Sequence, residues 1–551
     1  MSSQVSIRDI VGPIMVGPSS SHTAGALALA SMARRLVYHN PQSVTFTLYG
    51  SFAHTYRGHG TDRALVAGML GLSVDDLRVR DSLKLAEEAG LKVEFIVKPD
   101  EACDHPNTVD IHIVRHNGLP MDVRGISVGG GAAVITRING EAVEITGKYN
   151  SVLVEQTDHA GVLARIAKVF SDAGINIATL NMYRHSRGGR AFTLLDTDEM
   201  LNDDIRVALE AIPNVHRASI LPALDVSGGI GSVEKDYLHT VTLSDEQTER
   251  ACEEFACYDF SSAHELLHLC DKYGISIGEA FLERDHYLHL CQGTDFEAEG
   301  YLRKVLEIMN ESAMTPLENP MPSMGGLLGK EAGSLRLMHK QNKGIFNDTL
   351  LGRATTYACA VLETNATMGR IVAAPTAGSA GVLPAVLLSL KQEKNFGDKE
   401  LISALANAAA IGYLVAVNAC VSGAQGGCQA EVGTAAAMAA SAAAQLYGAS
   451  PYECLCAASN ALTNCLGLVC DPVGGLVEVP CQKRNAAAAA NALVSAEIAL
   501  AGIDNLVDFD ETVQAMDRIG KQMPVSLRET ALGGIAATPS ACAYCESRRA
   551  D

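Results

Sequence analysis

Three cysteines sit where the chain can do metal chemistry. Cys428 lies in SGAQGGCQAEVG, Cys470 in CLGLVCDPVGG and Cys481 in VEVPCQKRN, each where glycine or proline interrupts an apolar, helix-like stretch. Such loops expose backbone N–H groups that can hydrogen-bond thiolate or sulfide, and their small residues leave room for a bulky inorganic cluster. Structural zinc usually draws on closely paired Cys-x-x-Cys ligands, whereas these cysteines are 42 and then 11 positions apart, which disfavours zinc without excluding it. Cys359, Cys420, Cys454, Cys456 and Cys465 read instead as small packed hydrophobes. Cys542 and Cys545, in ACAYCESRRAD, read as an exposed, oxidation-prone tail.

A second set of residues suits a small anion. Ser19, Ser20, Ser21 and Thr23 surround His22 just ahead of the helical stretch AGALALASMARRL, so hydroxyls and helix-start amides can cradle a carboxylate, simple N-capping being the alternative. The loop carrying Thr376, Gly378 and Ser379 leads into VLPAVLLSLK and has the same logic, its alternative being a tight helix turn. Lys483, Arg484 and Asn485 follow Cys481 after Gln482, and at least one of them can neutralise local negative charge, or they can simply be solvated. His59, in the glycine-flanked GHGTD turn, and His105 and Asn107, in HPNT, complete the polar set.

These groups need a large scaffold. With 551 residues the chain exceeds one ordinary core, and about two to four domains are expected. A net charge of −20 with no long basic run argues against nucleic acid and anionic lipid as partners. The start, MSSQVSIRDIVGPIMVG, does not read as a secretory signal, so a cytoplasmic location is expected. Fifteen cysteines, an odd number mostly in apolar segments, suit reduced thiols or metal ligands better than disulfides. Residues 403–421 and 433–448 are apolar enough to raise a membrane question, but Asn407, Asn418 and Gln445 interrupt them, and buried core helices are expected.

The expected architecture is multidomain. Residues 1–147 alternate helical stretches with strand-like runs at 44–49 and 108–114, an α+β pattern. Residues 148–222 read as a βαββαβ unit, 223–260 as a connector, and 261–551 as an all-α domain broken by Gly, Pro and Asn loops.

The βαββαβ unit resembles the ACT domain, an amino-acid-sensing module, with Asp158, His159, Gly161 and Asn176 where that family has its turn and ligand-facing loop. The longer motifs are more specific: GPSSSHTAG at 17–25, YGSFAHTYRGHGTD at 49–62, HPNT at 105–108, APTAGSAG at 374–381, GGCQAEVG at 426–433, LGLVCDPVGGLVEVPCQKRN at 466–485 and RET at 528–530. Together they resemble the bacterial iron-sulfur L-serine dehydratases over nearly the whole chain, in the single-chain form with an ACT domain. The resemblance implies a 4Fe-4S cluster on Cys428, Cys470 and Cys481 with one iron open, and Lewis-acid-assisted loss of the serine hydroxyl to give pyruvate and ammonia. It implies a base for the α-proton, for which His59 is the first candidate and His22 and His105 the alternatives. It also implies Cys545 or Cys542 as a fourth ligand, an amino-acid effector at the ACT unit and a homodimer. Three readings compete: a pyridoxal-phosphate deaminase, which needs a Schiff-base lysine and an α/β fold; an L-cysteine desulfidase of related cluster type; and a non-catalytic amino-acid or redox sensor.

Overall fold

In a computed structural model, residues 5–37, 41–115, 120–147, 149–184, 186–197, 199–223 and 232–549 are described. Residues 224–231, at the start of the expected connector, lie outside them. Two compact units emerge, one of Met1–Ser20, Asp75–Leu77 and Gly231–Asp551, the other of Ser21–Val74 and Arg78–Ile230.

The first unit is built on helices. Thr434–Leu446 is buried along Thr434–Ala444, the signature of a helix that is apolar all round. It packs against Asp398–Asn418, Pro451–Thr463 and Cys481–Leu500, and Leu350–Ala366 packs on the last of these. Alanine at most contact positions lets these helices approach closely. Asp398–Asn418 is long and apolar enough to cross a membrane, yet 78% of its apolar window is buried in this core. Two of the polar residues that interrupt the apolar runs meet each other: Asn407 Nδ2 donates to Gln445 Oε1 at 2.7 Å, and Gln445 Nε2 to Ser403 Oγ at 2.9 Å. The chain's first residues join this unit through Ile14–Val16, which pairs antiparallel with Arg370–Val372.

The second unit is mixed α/β. Among the described residues, six strands form one sheet, in which Pro41–Tyr49 pairs parallel with Lys92–Lys98 and antiparallel with Thr108–Arg115. Helices Gly25–Leu36 and Thr61–Leu70 pack together, and the first also packs on this sheet. A four-stranded antiparallel sheet follows, with Asn150–Thr157 and Arg190–Thr197 central and Val215–Leu221 and Thr179–Arg184 at the edges. With helices Val162–Asp172 and Asp203–Glu210 it makes the βαββαβ unit expected from the sequence. Val162, Ile166 and Phe170, four apart, put one helical stripe into its core. The α+β, βαββαβ and mainly helical regions therefore follow one another as the hydrophobic periodicity indicates.

Candidate functional site

The cysteine motifs converge within the first unit. Cys428, Cys470 and Cys481 are all buried. Cys428 follows Gly427, whose φ of +76° and whose closeness to Leu468 O, 2.9 Å from where a Cβ would stand, leave room only for glycine. It opens a π-helical turn over Gln429–Gly433, a wide turn of the kind often found at functional sites. The turn carries Glu431, so one carboxylate oxygen and the Sγ atoms of Cys428 and Cys470 lie within 4.8 Å of one another. Cys470 is held by main-chain bonds to the RET segment and the residue before it: its N–H donates to Leu527 O at 2.9 Å, and Glu529 N–H donates to its carbonyl at 2.8 Å. Glu529 adopts a φ of +58°, costly for a side-chain-bearing residue and common at functional sites. Cys481 begins the helix Cys481–Leu500, where the macrodipole favours a thiolate.

Electrostatics set the character of this cluster. Contact with the Cys428 thiol, and then burial, push the Cys470 thiol well above its ordinary range; burial, and then Cys428 and Glu431, do the same to Cys481. Burial raises Glu431 to about 7 despite bonds from Thr376 and Gly423. Burial, with Glu431 and Cys428 nearby, lifts Glu529 far more than its ordinary range. Crowded acids and thiols of this kind ionise together only when a cation joins them, so the donor set suits a thiophilic metal group. Arg484 contributes one fixed positive charge, donating to Val469 O at 2.7 Å and pairing with Asp471 at 2.8 Å, which clamps the Cys470 loop to the Cys481 helix.

The expected anion loop lies beside the Cys481 helix. Asn485 accepts from Gly381 N–H at 3.0 Å and donates to the carbonyls of Gly378 and Cys481, each at 2.9 Å. Thr376 and Ser379 hydroxyls are 3.1 Å apart, and Ala377 N–H donates to Ser20 Oγ at 3.3 Å. Ser19 is buried, whereas Lys483 is exposed, so the inward cation after Cys481 is Arg484. The Cys545 Sγ comes within 3.3 Å of where a Cβ on Gly474 would be, in the Cys470 loop, while Cys542 is exposed.

In the second unit the remaining polar motifs close on themselves. Ser20–Ala24 is a π-helical turn running into Gly25–Leu36, so these hydroxyls lie within a helical element rather than cap it from outside. His22 Nδ1 hydrogen-bonds Ser21 Oγ at 3.0 Å and Nε2 hydrogen-bonds Ser51 Oγ at 2.9 Å, while its ring lies 4.5 Å from that of His59. Thr23 donates to His59 O at 2.7 Å. Asn107 N–H donates to His105 Nδ1 at 3.1 Å, and Ser127 Oγ donates to Ser21 O at 2.8 Å. Burial lowers His59 to about 4, and burial, then His59 and His105, hold His22 well below the ordinary imidazole range. Burial also lowers His105.

In the four-stranded unit, Asp158 accepts from Arg184 at 2.6 Å and Gly188 N–H at 3.1 Å, closing a turn, while His159 and Asn176 are exposed. Sequence reasoning did not single out Glu431, Glu529, Ser51 or Ser127. Glu431 and Glu529 stand inside quoted motifs, a signal that was there to use; Ser127 lies in a plain strand, and only the fold brings it in.

Comparison with known proteins matches three families in succession: "Serine dehydratase beta chain" over residues 6–137, "ACT domain" over 150–214 and "Serine dehydratase alpha chain" over 234–536. An L-serine dehydratase of Helicobacter pylori is 30% identical, covering 95% of this chain and 97% of the relative. One of Streptomyces coelicolor is 30% identical, covering 98% and 100%. A probable L-serine dehydratase alpha chain of Bacillus subtilis is 41% identical over 51% of this chain and 92% of its own length.

Proposed function

The chain belongs to the serine dehydratase family in its single-chain form with an ACT domain, and on that premise we propose that it deaminates L-serine to pyruvate and ammonia using a 4Fe-4S cluster on Cys428, Cys470 and Cys481. The observation that carries this reading is the burial of those three thiols together, on glycine- and proline-bounded loops far apart in sequence, with the Cys470 and Cys481 thiols pushed well above their ordinary range until a cation joins them. When bound, the cluster supplies Lewis acidity that makes the serine hydroxyl a better leaving group.

The chain's own residues do the rest. Thr376, Ser379 and the amides of their loop, with Ser19 and Ser20, receive the substrate carboxylate. Arg484 offsets negative charge beside the thiolates. His59 takes the α-proton at a ring nitrogen: burial keeps the ring neutral, and the substrate carboxylate brought near it raises its basicity from about 4 toward the useful range. His22, held between Ser21 and Ser51 with its ring 4.5 Å from that of His59, and His105 are the alternative bases, and with Asn107 they are proposed to contact the substrate. The aminoacrylate released tautomerises to an imine and hydrolyses without further help. An amino acid, serine first, is the proposed effector at the ACT unit, and a cytoplasmic homodimer the proposed form.

The test is anaerobic purification with iron and acid-labile sulfide analysis beside a pyruvate assay on serine. Replacing Cys428 abolishes both signals on this reading; full turnover without bound iron refutes it.

A further inference from the structure

We propose that Glu431 is a fourth protein donor at the cysteine site, an oxygen ligand toward the metal group held by Cys428, Cys470 and Cys481. This deepens the functional reading above and rests on it.

Position comes first. Glu431 lies three residues after Cys428, on the π-helical turn that Cys428 opens. Its carboxylate joins Cys428 and Cys470 in a group whose donor atoms all fall within 4.8 Å of one another, and Oε2 lies 4.0 Å from Cys470 Sγ. That proximity is protected. A Cβ on Gly423 would stand 2.4 Å from Glu431 Oε2 and 3.2 Å from Cys470 Sγ, so only glycine lets carboxylate and thiol occupy this corner together.

Chemistry comes second. Three soft thiolates leave one corner without a protein sulfur, and a carboxylate is an oxygen donor that iron accepts. Glu431 is less fully enclosed than Cys428 and Cys470. The hydrogen bond from Thr376 connects it to the anion loop, and a Cβ on Gly378 would be 3.5 Å from Oε1. One side chain thus links the metal site with the segment proposed to receive the substrate. The rival donor, Cys545, sits at Gly474.

The experiment uses the full chain reconstituted anaerobically with ferrous iron and sulfide, as wild type, E431Q, E431D and C545S. Iron and sulfide content, Mössbauer spectra and the rate of iron loss to a ferrous chelator are read, with circular dichroism to confirm folding. The expected result is that folded E431Q shows an altered spectrum for one iron site and loses that iron roughly tenfold faster or more, as removal of a metal-supporting group commonly does. E431D, which keeps an oxygen donor, recovers part of the retention, and C545S behaves as wild type. Identical spectra and loss rates for E431Q and wild type overturn the assignment, as does accelerated loss in C545S with none in E431Q. A wild-type chain that takes up neither iron nor sulfide overturns the functional reading and this assignment together, a result distinct from either of those.

Discussion

A buried thiol is a poor ligand until a cation joins it, so cysteines that look alike in sequence should behave differently when replaced. Cys454 is buried in the helical core, and burial raises its thiol to about 12. Cys454→Ala should keep its iron and cost on the order of 1 kcal/mol in stability. Cys481→Ser should lose bound iron under the same anaerobic metal analysis while thermal unfolding still shows a folded chain. His59 makes a second residue-scale case. His59→Gln should lower kcat by about 10²- to 10⁴-fold, the usual worth of a general base, while iron content stays at the wild-type level. A folded-state pKa near 4 leaves the free His59 ring neutral at every higher pH. The kcat/KM profile in wild type should therefore show no falling acid limb from this group between about pH 6 and 8. A limb centred near the ordinary histidine value that disappears in His59→Gln would show that the ring is less buried than its surroundings imply.

At the scale of elements, close approach decides which residues the motifs can use. Gly25 opens the helix Gly25–Leu36, and a Cβ there would stand 2.1 Å from Ser127 Oγ. Ser127 is the residue that ties the Ser20–Ala24 turn to the sheet. Gly25→Ala should therefore destabilise the chain by about 1–3 kcal/mol in denaturant unfolding, as overpacking does, and raise KM for serine through displacement of the turn. Gly50 is constrained by both space and conformation, with a φ of +51° and Pro106 O 2.6 Å from its absent Cβ. The glycines of TAG and YGS were legible as motif residues, but the partners that forbid a side chain were not. Nor was the π-helical form of Ser20–Ala24 and Gln429–Gly433 legible, because apolar spacing reports a helix without reporting its winding.

At the scale of the whole molecule, the first unit is closed by groups far apart in the chain. Glu234 is buried, accepts from Ile14 N–H at 3.0 Å, and is raised by burial to about 7. A carboxyl raised on folding favours the folded state at low pH, and that stability is lost as pH rises through the folded value. Between about pH 4.5 and 8 the loss should approach 3 kcal/mol as an upper figure, and Glu234→Gln should flatten that part of the stability–pH curve in urea titrations. The mainly helical C-terminal half, the βαββαβ unit and the motif cysteines could be read from the amino-acid order, because periodicity, turn residues and ligand types are local properties. Other features required the folded chain: Ile14–Val16 pairing with Arg370–Val372, Arg484 rather than Lys483 turning inward, Glu431 reaching Cys470, and Ser127 reaching Ser21. Those depend on which faces of distant elements meet, and that is determined by the packing of the whole core rather than by any stretch of residues read alone.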